Sequence, residues 1–263
     1  MDHRVWKLRG WKALALIDNQ LGISDHVADK FNGVLMYHAV GDEGYGAVST
    51  DRFRRDIAYL DDRYEIVDLP EVLETPTTDA KRIAITFDDA FENVYHNAVP
   101  VLREHDSPAT VFAVTDYIAD GTVDEDNMYM DWAQLRVLAE DDLFSVGNHT
   151  KSHPYLSELA TETALREQIV GSKRVLEDGL ETEVTRFCYP HGRYNDTVTR
   201  IVAETHEFAT TTDPRLIDET PCDVLIPRID AKESDILVRW ELTDASRWIQ
   251  QLAVHLGLMS SLN

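Results

Sequence analysis

Along the chain, short apolar and β-branched runs alternate with longer stretches of helical spacing. Seven runs read as strands: Val34–His38, Ile83–Asp88, Ala109–Val114, Phe144–Val146, Arg186–Tyr189, Phe208–Thr212 and Val224–Ile229. The pattern between them predicts helices at Asn93–His105, Asp131–Glu140, Ser157–Asp178 and Asp196–Glu204, with Val94, Ala98, Val101 and Leu102 spaced to share one buried face. Strands that alternate with helices imply a parallel sheet. The class is therefore α/β, and right-handed crossovers allow either an open doubly wound sheet or a closed barrel. No glycine-rich phosphate loop follows any strand, which counts against a nucleotide-binding sheet.

The two ends differ from this repeat. Trp6, Leu8, Trp11, Leu14 and Leu16 can form one face of a short helix that docks on the domain or on a membrane surface. Leu237, Trp240, Leu242, Trp248, Leu252 and Leu256 predict one or two amphipathic helices after Ala231. The expected organisation is a helical extension over 1–30, a barrel over 31–230 and a helical tail over 231–263.

Charge narrows the partners. With 48 acidic and 25 basic residues the net charge is −23, so the surface repels phosphate backbones and nucleic acid is not an expected partner. Asp outnumbers Glu by 29 to 19 and Arg outnumbers Lys by 18 to 7, a balance that resembles cytoplasmic proteins of salt-loving archaea. The first 21 residues lack a secretory pattern and no run reaches the roughly 20 apolar residues of a membrane span. A cytoplasmic protein is expected, with peripheral membrane contact left open, as is the oligomeric state. Cys188 and Cys222 are too few for a disulfide framework and are expected as buried thiols without chemistry.

Polar residues with chemical potential cluster at the carboxyl ends of the predicted strands, where a barrel builds its active site. Asp88 and Asp89 end the second strand, Asn148 and His149 follow the fourth, His191 follows the fifth and His38 ends the first. The i and i+4 spacing of His149 and His153 brings two imidazoles close enough to share a metal, although Pro154 argues for a tight loop over a helix. The residue after His149 is Thr, which excludes a zincin. Elsewhere, His96 and His105 are expected to face solvent, while His206 and His255 have no partner at ligand spacing. Asp131 reads as an N-cap, and Trp132 either packs or stacks on a sugar ring.

Taken in order, the segments TFDDA, NHTKSHP, CYPHG and IPRID closely resemble the polysaccharide deacetylase family, the carbohydrate esterase family 4 or NodB-homology domain, over Val34 to Asp230. The resemblance implies a distorted (β/α)7 barrel of TIM-like type. It assigns Asp88 as general base, and Asp89, His149 and His153 as ligands of one divalent metal, most simply Zn2+. It also implies that the backbone N–H of His191 holds an oxyanion.

Two positions depart from the family pattern. Cys188 stands where an Arg usually tethers the base, and the late Leu-x-His motif that supplies the general acid is absent. Some relatives carry Tyr-His on an early strand instead. His38 is therefore the acid candidate, with His191 as its competitor, and Arg228 is the candidate tether of Asp88. The expected activity is hydrolysis of N-acetyl groups from amino-sugar carbohydrate. Alternatives are another amide, a formamide or a cyclic imide as substrate, or a catalytically silent carbohydrate-binding module that keeps the metal pocket.

Overall fold

A computed structural model describes residues 3–21, 32–73, 81–118, 128–217 and 222–255. The elements are α1 His3–Leu21, β1 Gly33–Tyr37, α2 Thr50–Arg63, β2 Glu65–Ile66, β3 Arg82–Phe87, α3 Val99–Glu104, β4 Ala109–Ala113, α4 Trp132–Ala139, β5 Phe144–Asn148, α5 Glu162–Arg166, α6 Ser172–Leu180, β6 Arg186–Cys188, α7 Asp196–Thr205, β7 Phe208–Thr210, β8 Ile229–Asp230, α8 Asp235–Glu241 and α9 Asp244–His255. Strands pair in the order β7-β6-β5-β4-β3-β1-β8, all in parallel, with β2 beside the start of β3. Almost every residue of β1, β3, β4 and β5 is buried, as expected for strands covered on both faces.

The last strand closes the sheet on itself. Ile226 bridges to Thr210 of β7, and three residues later Ile229 and Asp230 pair with Leu35 and Met36 of β1. Pro227 has no N–H to give a ladder, so the run expected as one strand over Val224–Ile229 is broken and crosses from one edge of the sheet to the other. The result is a curled α/β barrel with a helical appendage at its C-terminal end.

Strand register sets the site. Tyr37 pairs with Phe87, so the next residues, His38 and Asp88, lie side by side, and Asp88 N donates to Tyr37 O at 2.9 Å. Ala113 pairs with Asn148 and Asn148 with Phe187, which brings His149 next to Cys188. One rim thus collects residues scattered over most of the chain.

Several helices depart from the sequence pattern. The segment expected as one helix over Asn93–His105 is a π turn at Val94–Ala98 followed by α3, because Pro100 lacks the N–H that an unbroken α ladder needs. The segment Ser157–Asp178 begins only at Glu162, where the Thr161 side chain accepts from Ala164 N, and it too contains a π turn, Glu167–Gly171. The sequence pattern did not predict α2 and β2; α2 buries Phe53, Ile57 and Leu60 at helical spacing after an N-cap at Ser49. Asp131 is the N-cap of α4 in a full capping box, as expected.

Helix α1 docks through Ala15 and Leu14 on Leu237, Trp240 and Ile249, while Leu16 is exposed, against expectation. Trp6, Leu8 and Trp11 fall outside the described side chains. In the tail, Leu237, Trp240 and Leu242 are buried, but Trp248 and Leu252 face solvent, and Leu256 lies outside the described residues. Among the described residues no helix is long and apolar enough to cross a membrane.

Candidate active site

Asp88 is almost fully buried at the end of β3, a position no carboxylate holds without compensation. Arg228 supplies it from the closing segment. Its Nη1 donates to Oδ1 at 2.7 Å and its Nη2 to Oδ2 at 2.8 Å, while Nε donates to Thr211 O and Nη1 also to Thr86 Oγ1. Burial alone would raise the carboxyl pKa; the guanidinium overrides it and holds Asp88 well below the usual carboxylate range. Cys188 fits against the same fork, with Sγ 3.1 Å from Arg228 Nη2 and 3.5 Å from Asp88 Oδ2. It is buried as expected, yet it lies inside the site and not apart from it. Cys222, expected to be buried, is exposed.

The neighbouring group is a metal-type cluster. One ligand atom from each of Asp89, His149 and His153 lies within 4.8 Å of the others, and both imidazole Nε2 atoms are 3.7 Å from Asp89 Oδ1. That carboxylate oxygen is buried and has no hydrogen-bond partner. His149 Nδ1 is 2.8 Å from Cys188 O, which only accepts, so Nδ1 carries the proton and Nε2 is left as the free donor atom. Burial, with the charges of His149 and His191, pushes His153 down to about 3 and keeps it neutral. Burial opposes a second proton on His149, but Cys188, Asp88 and Asp89 around it raise its pKa to about 10, so a cation taking Nε2 would have to displace a proton from it. A hard and borderline donor set of one carboxylate and two imidazoles, with an orphaned oxygen at its centre, fits a divalent ion.

The backbone at this rim is strained. Asp89, Ala90, Thr150, His153 and His191 all have positive φ, between 54° and 73°. Non-glycine residues hold such angles only where surrounding contacts over-determine them, and such sites cluster at functional positions. The His149–His153 segment is the tight loop its Pro154 implied.

His38 is buried just past the end of β1 beside Asp88, its Nδ1 without a partner and its ring edge-on to Tyr45 at 4.9 Å. Burial dominates and lowers its pKa, with Arg228 in the same direction and Asp88, Asp89 and Asp230 opposing. Asp230 went unassigned in the sequence, although its spacing of two from Arg228 is the signal that two strand residues share a face. His191 sits further out. It is exposed, stacks on Tyr155 at 4.0 Å and meets the His153 ring edge at 4.4 Å. Gly192 follows it with φ 64°, and any side chain there would run into Thr212. Trp132 is half-buried, with its ring close against Gly179 and packed on the core. His96 is exposed, whereas His105 is half-buried and paired with Asp61 at 2.8 Å.

Residues 75–208, just over half of the chain, match the family described as Polysaccharide deacetylase. The chain belongs to the polysaccharide deacetylase family. Among curated members it is 26% identical to Bacillus subtilis YxkH over 69% of this chain and 64% of that protein. It is 23% identical to the poly-β-1,6-N-acetyl-D-glucosamine N-deacetylase of Staphylococcus aureus over 61% of this chain and 59% of that one. The chain therefore spans less than two thirds of either relative. Among solved structures, the Streptococcus pyogenes deacetylase PplD in complex with acetate superposes with a TM-score of 0.67 at 25% identity, covering 77% of this chain and 92% of that one. IcaB from Ammonifex degensii superposes at 0.68 with 22% identity, covering 84% and 97%, a likeness of fold.

Proposed function

We propose that this deacetylase-family protein is a metal-dependent hydrolase that removes N-acetyl groups from amino-sugar carbohydrate, with Asp88 as its base. The observation that carries the reading is the adjacency of a charge-tethered Asp88 and the Asp89–His149–His153 cluster. A divalent ion, most simply Zn2+, held by those three residues would polarise an amide carbonyl and acidify water. Asp88, kept ionised and aligned by Arg228, accepts the proton of the attacking water. The backbone N–H of His191 stabilises the charge that forms on the carbonyl oxygen. The C–N bond then breaks, and His38 gives its proton to the departing amine, leaving acetate and a free amino sugar. Burial lowers the His38 pKa on balance, with Asp88, Asp89 and Asp230 opposing it, so as the acid His38 would have to take up its proton during the reaction, most simply from Asp88 beside it.

The silent-module reading rested on two missing motif residues. The pairing of Arg228 with Asp88 and the position of His38 beside that carboxylate support the enzyme reading. Tyr45 beside His38 follows β1 and Tyr155 beside His191 follows β5, so the two rings flank Asp89, at the end of β3, in strand order. Two such rings suit a chain of pyranose units laid across the mouth, and a poly-N-acetylglucosamine oligomer is the substrate class we favour.

Acetate release distinguishes the readings. β-1,6- and β-1,4-linked N-acetylglucosamine oligomers, nucleotide-linked N-acetylhexosamine and simple formamides are compared, each with and without added Zn2+. Metal-stimulated release that grows with chain length supports the proposal. Activity confined to formamides or cyclic imides would move it to another amide class, and oligomer binding without release would leave a binding module.

A further inference from the structure

Behind the two histidines of the metal-type cluster lies a buried polar network without a part in the chemistry above. Its centre is Asn148, fully buried at the end of β5. Asn148 Oδ1 accepts from Thr150 N at 2.9 Å and lies 2.7 Å from Ser172 Oγ. Because Thr150 N can only donate, the amide orientation is fixed, and Nδ2 faces Ile169 O at 2.8 Å and His206 Nε2 at 3.1 Å. His206 Nε2 must therefore accept. Its Nδ1 is 3.0 Å from Thr205 Oγ1, whose own proton goes to Ile201 O at 2.8 Å, so Nδ1 is the protonated nitrogen. Every side-chain polar atom of the Asn148–His206 pair has a partner.

What this pair holds is the strained link between His149 and His153. Thr150 is β-branched with φ 73°, a conformation such a residue does not take unaided. Its N–H is fixed by Asn148, and its Oγ1 in turn accepts from His153 N at 3.1 Å, at the second residue of positive φ. The π turn at Glu167–Gly171 completes the cradle: Gln168 O accepts from Lys151 N at 3.1 Å and from Ser172 Oγ at 2.6 Å, and Ile169 O, which also takes the Ser172 N–H, accepts from Asn148 Nδ2 at 2.8 Å.

We propose that His206 is a positioning residue for the metal centre: through Asn148 and Thr150 it sets the aim of the two imidazoles of His149 and His153. The inference rests on the reading of Asp89, His149 and His153 as metal ligands. His206 lies 58 residues from Asn148 in sequence and reaches no ligand itself. It acts by supplying the acceptor that keeps the Asn148 amide turned toward Thr150. Without that acceptor the amide has a buried donor unpaired, rotates or shifts, and releases Thr150 from its left-handed angle. Second-layer partners of this kind change metal affinity by about 10- to 100-fold when removed.

The test compares wild type with His206→Leu, which removes the acceptor, and His206→Gln, whose amide can offer an oxygen to Asn148 and an N–H to Thr205. Zn2+ affinity is measured by chelator competition and the Co2+-substituted absorption spectrum is recorded, each on protein shown folded by circular dichroism. Expected are a Zn2+ affinity loss of about 10- to 100-fold and an altered Co2+ spectrum in His206→Leu, with recovery to within about threefold of wild type in His206→Gln. Wild-type affinity and spectrum in folded His206→Leu would overturn the positioning role alone, as would a Gln variant as weak as Leu. Should His206→Leu not fold, the Gln variant carries the test together with His206→Phe, which fills the ring space but offers no acceptor to Asn148. Near-wild-type Zn2+ affinity in folded His206→Phe would show that the loop does not need His206. Failure of wild type to take up any stoichiometric ion would overturn the metal reading itself, and this inference with it.

Discussion

Arg228 reaches Asp88 from 140 residues along the chain and grips both carboxylate oxygens, at 2.7 and 2.8 Å. A fork of this kind fixes direction as well as charge. Arg228→Met should lose about 3 to 5 kcal/mol of stability, because Asp88 is left buried and unpaired. Arg228→Lys restores the charge but not the fork, so its melting temperature should recover further than its kcat, which stays down by about 10²-fold. A Lys variant with wild-type kcat would remove the tethering role.

Asp88 and Asp89 should separate cleanly. Asp88→Asn is expected to abolish turnover and keep about one equivalent of zinc, whereas His149→Ala loses the metal after mild chelation and zinc return. Metal analysis beside acetate release reads both. Equal metal loss in the two variants would mean that the adjacent carboxylates have been given the wrong roles.

The proton donor is decided between two histidines. His38→Ala should lower kcat by about 10² to 10⁴ with metal retained, and His191→Ala should act mainly through KM, since its exposed ring stacks on Tyr155 outside the Asp88 pocket. The larger kcat loss in His191→Ala would transfer the acid role to it.

His206 also makes stability depend on pH. Burial, helped by the charge of Lys173, depresses its pKa to about 3 in the folded chain, below the ordinary 6.5 of the unfolded one. The unfolded state therefore binds the extra proton first. The contribution is complete above pH 6.5 and is lost as pH falls from there toward 3, by up to about 1.4 kcal/mol per pH unit. Urea unfolding from about pH 7.5 to 5 should show wild type losing more stability than His206→Gln; parallel slopes would mean that His206 is not held neutral.

With a net charge of −23, the folded chain repels itself. Raising KCl from about 0.1 M to about 2 M shortens the screening length from about 10 Å to under 3 Å and should raise the melting temperature. A flat or falling curve would remove the resemblance to salt-adapted proteins.

Legibility in the sequence followed distance along the chain. Asp88 with Asp89, and His149 with His153, are near neighbours in sequence, and the alternation of strands and helices already sends strand ends to one rim. The partnership of Arg228 with Asp88 was available only as a candidate, because nothing local tells which strand closes the barrel. Cys188 read as an inert thiol because its sequence neighbours are apolar; its three-dimensional neighbours are not. Similarly, an apolar period on α1 and α9 does not say which part of the stripe meets a partner, and Leu16, Trp248 and Leu252 ended outside. The π turns are invisible to a 3.6-residue period, although Pro100 marked one of them.

The crossing from Ile226 to Asp230 ties barrel closure to the readiness of the base. The Asp88 carboxylate draws its main counter-charge from Arg228, in the same few residues that bridge β7 and lead into the pairing with β1. A barrel without that crossing would lack the guanidinium that opposes the burial of Asp88, and its carboxyl pKa would rise. One short segment thus sets both the closure of the sheet and the charge of the carboxylate at its rim.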